Sequence, residues 1–334
     1  MTMTDVSDLP SSNRLAPQKG LRNFRYSTIE AEVIDARESV RRWWWEYLRL
    51  SKDYWLVCKT SQASGVVETT DKALRGIYLK FGNVHNYPFD KWWLSKGSKV
   101  FREQVDPPRV KEILTSEGTY HAPLNRDKLI LEVPIVLSRA TIQKQISTII
   151  ERYKEQRPNN RLMISKSDFP INPVRYRLHT LQLMHEVYCL HRELITKPDA
   201  LRSIAGTPDQ RKEWQQKYDQ RADLFRIGEV LLISPSNTLV TGDITNDRAK
   251  KNRMRATVSR FLRRADQLIS NVEHGKFPVF TTAVRPERRF TQRQLASHIE
   301  LEPEWWSLDL TSELTGNKVA AARTLYYNEY GEGV

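Results

Sequence analysis

The chain has 334 residues, 39% hydrophobic and 28% charged, which excludes disorder throughout and allows two or three domains with cores of their own. Its formal charge of +13 favours an anionic partner, nucleic acid before a membrane surface. Two cysteines, Cys58 and Cys189, argue against a disulfide framework and fit a reducing cytoplasm; no apolar run nears the roughly 18 residues of a membrane span, and the N-terminus lacks the apolar core of a signal peptide.

Residues 1–26 hold Ser, Pro, Asn and scattered bases without periodicity and read as a flexible arm. From Thr28 to about Cys58, Val33, Val40, Trp44, Tyr47, Leu48 and Trp55 recur at three- and four-residue steps, the pattern of an amphipathic helix capped by Ser27 or Thr28. Trp43, Trp44 and Trp45 fan out at about 100° per residue, so they are expected to meet more than one packing surface, one of them on a second element or a partner. Two further helices, about 71–81 and 89–101, flank the turn residues Gly82, Asn83 and Pro88. Residues 27–105 thus form a Trp-rich helical domain, and 106–172 a linker and strand–helix region.

In that region Leu129, Leu131, Val133, Ile135 and Leu137 alternate along Lys128 to Leu137, the mark of a strand that Pro134 confines to an edge. A helix follows over 139–156 with Ile142, Ile146, Ile149, Ile150 and Tyr153 on one side, then a loop over 157–173 with a short strand at 162–164. Helices are expected over 174–196 and over 207–232, the second capped by Thr207 with Pro208 at its first position. A turn-rich break at 237–245 precedes a helix from Asn246 or Asp247 to about Val272. Residues 173–293 are read as a basic helical DNA-binding domain and 294–334 as an acidic helical tail. The fold class is mainly α with a small β element, multi-helical, with a helix-turn-helix-like C-terminal half.

Charge singles out the last of these domains. Between Arg248 and Arg293 there are thirteen Lys or Arg against three acids, whereas 294–334 carries seven acids against two bases. Met254, Val258, Phe261, Leu262, Ala265, Leu268, Ile269 and Val272 form one apolar stripe, and eight cations fall within 248–264. A helix so patterned docks by one side and offers the other to phosphates. The candidate contacts are Arg248, Lys250, Lys251, Arg253, Arg255, Arg260, Arg263 and Arg264, with Asn252, Thr257 and Ser259 available for base edges. Arg288 and Arg289 extend the basic stretch beyond the helix. The plain alternative is a solvated charged face, weakened by the scarcity of interleaved acids.

Ala256 to Ile269, ATVSRFLRRADQLI, resembles the recognition-helix end of helix-turn-helix proteins, and Arg177 to Leu194 would supply preceding helices. Together with the Trp-rich front, these segments are similar to poorly characterised proteins of bacterial prophages and integrative elements. That resemblance implies a DNA-binding regulator of a mobile element. The competing class is a structural or assembly subunit of a nucleic-acid-containing complex without regulatory role. Besides DNA, the partner to expect is a second copy of the chain, met through Trp-rich or edge-strand surfaces.

Two other segments carry part of the pattern of a DNA-binding element. Thr291 to Leu301 has the Gln, Leu, Ala and Ile spacing of a first helix-turn-helix helix, but Trp305 and Trp306 follow where a polar helix would begin. A ribbon-helix-helix would present Ile130, Glu132 and Val136 outward, a poor match to DNA. Enzymatic readings find little. The chain has no G-x-x-x-x-G-K-[ST] loop and no G-x-G-x-x-G. His185, Cys189 and His191 lack a fourth metal ligand. Asp168, Asp199 and Asp209 lack the companions of a nuclease site, and no histidine is followed by Arg at the third position, as a tyrosine recombinase ending in Tyr326, Tyr327 and Tyr330 would need. No activity, cofactor or metal is expected.

Overall fold

The computed structural model describes residues 28–102, 131, 133–134, 136–155, 167–171, 177–204, 207–209, 212, 223–238 and 242–330. The expected arm, most of the linker, the short strand at 162–164 and the middle of the expected 207–232 helix lie outside these residues. What is described is mainly helical, and its only bridge between extended segments joins Ile171 to Phe277. The chain divides into two units, residues 1–103 with 167–334, and residues 104–166.

The first expected helix is three: α1 (Ile29–Arg37), α2 (Val40–Arg49) and α3 (Lys52–Ser64). Periodicity runs through the breaks, but Ser39 and Ser51 take extended backbone angles, and their hydroxyls accept from Arg41 N and Tyr54 N, each capping a new helix. α4 (Lys72–Phe81) is capped by Asp71 and ends at Gly82, whose φ of 66° suits glycine. The next helix matches its expected span as α5 (Phe89–Trp92), a π turn (Trp93–Gly97) and α6 (Ser98–Val100).

α2 lies at the centre of the first unit and is buried from Val40 to Leu48. The tryptophan fan is accommodated without a partner, because neighbours surround the helix. Trp43 meets His185, Trp44 meets Phe81, Phe101, Phe169 and Phe277, and Trp45 meets Phe89 and Trp92. Every described tryptophan is buried.

α8 (Leu178–His191) continues through a π turn (Arg192–Thr196) into α9 (Lys197–Ile204). The helix expected over 207–232 is interrupted: Asp223, at φ −77° and ψ 144°, caps a separate α10 (Leu224–Val230). After a 3₁₀ turn (Pro235–Asn237) come α11 (Ile244–Val272), α12 (Gln292–Ser307) and α13 (Gly316–Tyr330). α11 packs on α8, α10 and α2, and α13 packs on α8 and α10. The Tyr47 hydroxyl donates to Leu181 O at 2.8 Å, Ser51 to Glu273 at 2.6 Å and Ser312 to Glu46 at 2.6 Å. The Trp-rich, basic and acidic segments therefore share one core. Periodicity shows which face of a helix is apolar but not which other face it meets, so the sequence divided what the fold joins.

In the second unit α7 (Arg139–Glu155) matches the expected helix, with Ile142, Ile146 and Ile149 half-buried and Ile150 40% exposed. The expected edge strand is corrected. Leu131, Val133, Pro134, Val136 and Leu137 are not in a strand, Leu137 N donates to Pro134 O in a turn, and Val136 is 90% exposed. Alternation marks a face, but a strand also needs a partner for its backbone, and none is present among the described residues.

Candidate nucleic-acid interface

The 29 residues of α11 span about 43 Å at the usual rise per residue. Its start is fixed by Asp243, whose carboxylate accepts from Thr245 N at 3.0 Å and Asn246 N at 3.2 Å. Asp247 in the first turn suits the positive end of the helix dipole. Its far end is pinned by the Asn271 side chain, which donates to Gln267 O, Val279 O and Thr281 O. Met254, Val258, Ala265, Leu268, Ile269 and Val272 are buried, while Phe261 and Leu262 are half-buried. The stripe read from the sequence is the docking face.

The opposite side of the N-terminal two-thirds faces solvent. Arg248, Lys251, Asn252, Arg253, Arg255, Ser259, Arg260 and Arg263 are exposed, and Lys250, Thr257 and Arg264 are half-buried. Between Asp247 and Asp266 the helix has no acid. Helical geometry puts Arg253, Thr257, Arg260 and Arg264 along one edge and Arg248, Arg255 and Ser259 along the other, with Asn252 and Arg263 between them.

Not all the candidates are free. Arg255 forms a two-point ion pair with Asp223, Nε lying 2.9 Å from Oδ1. That contact holds the Asp223 carboxyl below its usual range and raises Arg255. The Arg264 guanidinium lies 5.3 Å from the Phe280 ring centre, and Lys251 Nζ 5.5 Å from that of Phe225. The Thr257 hydroxyl donates back to Arg253 O at 2.9 Å, which occupies its one donor.

Beyond the helix, Arg288 is exposed, but Arg289 belongs to the interior. It is 8% exposed, and its Nη1 donates to Asp53 at 2.6 Å and Glu273 at 2.7 Å. Its Nε lies 3.1 Å from Asp71, an ion contact off the hydrogen-bonding line. Asp53, Asp71 and Glu273 escaped the sequence reading because nothing in their local context marks them as partners of a distant arginine.

The His185–Cys189 pair lies in the interior. The two side chains are 3.6 Å apart and buried. Burial pushes the thiol up and the imidazole down to about 4, with Glu46 opposing the shift on the imidazole. Both shifts run against the thiolate, the form in which a cysteine attacks. Among the described residues no three His, Cys, Asp or Glu side chains are grouped to hold a metal, and no helix is long and apolar enough to cross a membrane. The sequence matches no family model and no curated protein, and the structure matches no solved one.

Proposed function

We propose that the protein binds duplex DNA through the N-terminal two-thirds of α11, with the C-terminal third serving as its anchor. The observation that carries this is the acid-free exposed face on which Arg248, Arg253, Arg260 and Arg263 have no carboxylate partner among the described residues. Exposed cations spared from internal ion pairs are available to phosphates. Asn252 and Ser259 lie on the same face and supply hydrogen-bonding groups for base edges. The tight helix-turn-helix is not needed. Residues 231–243 connect α10 to α11, longer than the three or four residues of that motif, so α11 is presented as a single long helix braced by α8, α10 and α2.

The role we infer is transcriptional regulation, which rests on the likeness of the Ala256 to Ile269 segment to a recognition helix. The competing reading, an assembly subunit that binds nucleic acid without sequence preference, is favoured by the shortage of neutral base-reading side chains once Thr257 is discounted. Electrophoretic mobility shifts on random and selected duplexes separate the two: selection of one site supports regulation, and equal binding to all supports assembly. The test of DNA binding itself is the double variant Arg253→Glu/Arg260→Glu, changed only at exposed positions. With about four to six phosphate contacts the salt dependence has a log–log slope of about −4 to −5. The variant is expected to lose most of its affinity and flatten that slope, and unchanged affinity would refute the proposal.

A further inference from the structure

The C-terminal third of α11 is an anchor on one side and a wall on the other. Between it, the π turn after α8, the end of α12 and the 282–285 loop lies a cleft of about 810 Å³, within the few hundred to one thousand Å³ usual for small-molecule sites. Trp305 and Trp306 line one part of it, and Arg263 and Arg285 another.

Arg192 also lines the cleft and is 4% exposed. Its guanidinium lies 5.2 Å from the ring centres of both tryptophans. Nη2 donates to Trp305 O at 2.6 Å, and Nη1 to Leu308 O at 3.1 Å and Glu193 at 3.0 Å. Its Nε is buried without a hydrogen-bond partner. A buried charged donor left unmade is costly, and an incoming oxygen would remove that cost. The cleft's carboxylates are largely answered already. Asp53 and Glu273 are held by Arg289, and Glu273 also by Arg285 at 3.1 Å. Asp266, also in the lining, is exposed and stands without an ion pair among the described residues, with Arg285 the opposing charge that acts on it.

We propose that this cleft binds a small organic anion with a flat ring, an aromatic carboxylate or a nucleoside monophosphate, its oxygen on Arg192 Nε and its ring along Trp305 and Trp306. Arg263 belongs both to the cleft and to the exposed basic face, so an occupant drawing on that guanidinium weakens DNA binding. This coupling, unlike the site itself, rests on the nucleic-acid reading above.

Calorimetric titration of the full chain, without DNA, tests the site. The probes are AMP and indole-3-carboxylate, with adenosine and inorganic phosphate as the ring and the anion alone. At least one ring-plus-anion probe is expected to bind about tenfold or more tighter than either half, a difference of about 1.4 kcal/mol. Arg192→Lys keeps the charge and loses Nε–H, and should cost about tenfold in affinity with an unchanged far-ultraviolet spectrum. Ala283→Trp, on the loop at the cleft, should block binding while leaving the helices intact. If neither ring-plus-anion probe binds, if phosphate alone binds as tightly as AMP, or if Ala283→Trp binds normally, the site is overturned. Probe binding by a chain without DNA affinity would support the cleft and remove the nucleic-acid reading instead.

Discussion

Arginine is the residue on which the functional reading turns, and the thirteen cations between Arg248 and Arg293 are not equivalent once folded. Arg289 and Arg260 mark the extremes. Arg289 sits among Asp53, Asp71 and Glu273, and Glu273 is pushed up by burial despite the arginines beside it. Removing the arginine leaves Asp71 and Glu273 buried without their cation and Asp53 half-buried, which costs about 3–5 kcal/mol. Arg289→Ala is therefore expected to lower unfolding stability by that order while leaving the DNA affinity and salt slope of the folded fraction unchanged. Arg260→Glu should do the reverse, weakening DNA binding with stability changed by less than about 0.5 kcal/mol. Denaturant titration and fluorescence anisotropy on both variants check the pair, and a loss of DNA affinity in folded Arg289→Ala would return that residue to the interface. Sequence alone does not separate these two arginines. Both lie in stretches rich in Arg, and the carboxylates that claim Arg289 lie as far as 236 positions away.

At the scale of elements, helices with strong stripes were legible and their interruptions were not. α11 begins at Ile244, a few residues before its expected start, because Asp243 takes the cap. The breaks before α2, α3 and α10 fall at Ser39, Ser51 and Asp223, all capping types. Such residues also occur within helices, and the apolar pattern continues across Ser39 and Ser51. Small residues that let helices approach are equally silent in the pattern. Gly228 on α10 faces the basic helix so closely that a Cβ there would lie 2.5 Å from Met254 Sδ, 2.7 Å from Met254 Cγ and 3.0 Å from Val258 Cγ2. Gly228→Ala should thus destabilise by about 1–3 kcal/mol through overpacking, even though alanine is the better helix former. Met254→Ala makes room at the same point, so the double variant should be more stable than the sum of the single losses predicts, a coupling of about 0.5–3 kcal/mol in a double-mutant cycle. Strict additivity would place the two helices farther apart than described.

At the scale of the whole molecule, the first unit makes one body out of segments that composition sets apart. The Trp-rich N-terminal part contributes α2 as the central helix, the basic segment lays α11 against it, and the acidic tail returns as α12 and α13 to cover α3, α8 and α10. Ion pairs follow the same closure, Lys52 with Glu302 at 2.5 Å and Arg42 with Glu313 at 3.4 Å, so the acidic tail answers cations of the body. Such an arrangement has a thermodynamic signature. The described tryptophans lie in α2, α3, α5, the π turn after it and α12, whereas far-ultraviolet circular dichroism weights α8, α11 and α13 as well. Were the N- and C-terminal parts separate domains, tryptophan fluorescence and helicity would be lost at different urea concentrations. Sharing one core, they should unfold with a common midpoint and slope, apart from a smaller helical change from the second unit. The chain cut after residue 103 should then lack cooperative unfolding, because α2 would lose the α8 and α11 surfaces that bury it. A cooperative transition from that fragment would restore the division into domains and leave α11 to be held by α8 and α10 alone.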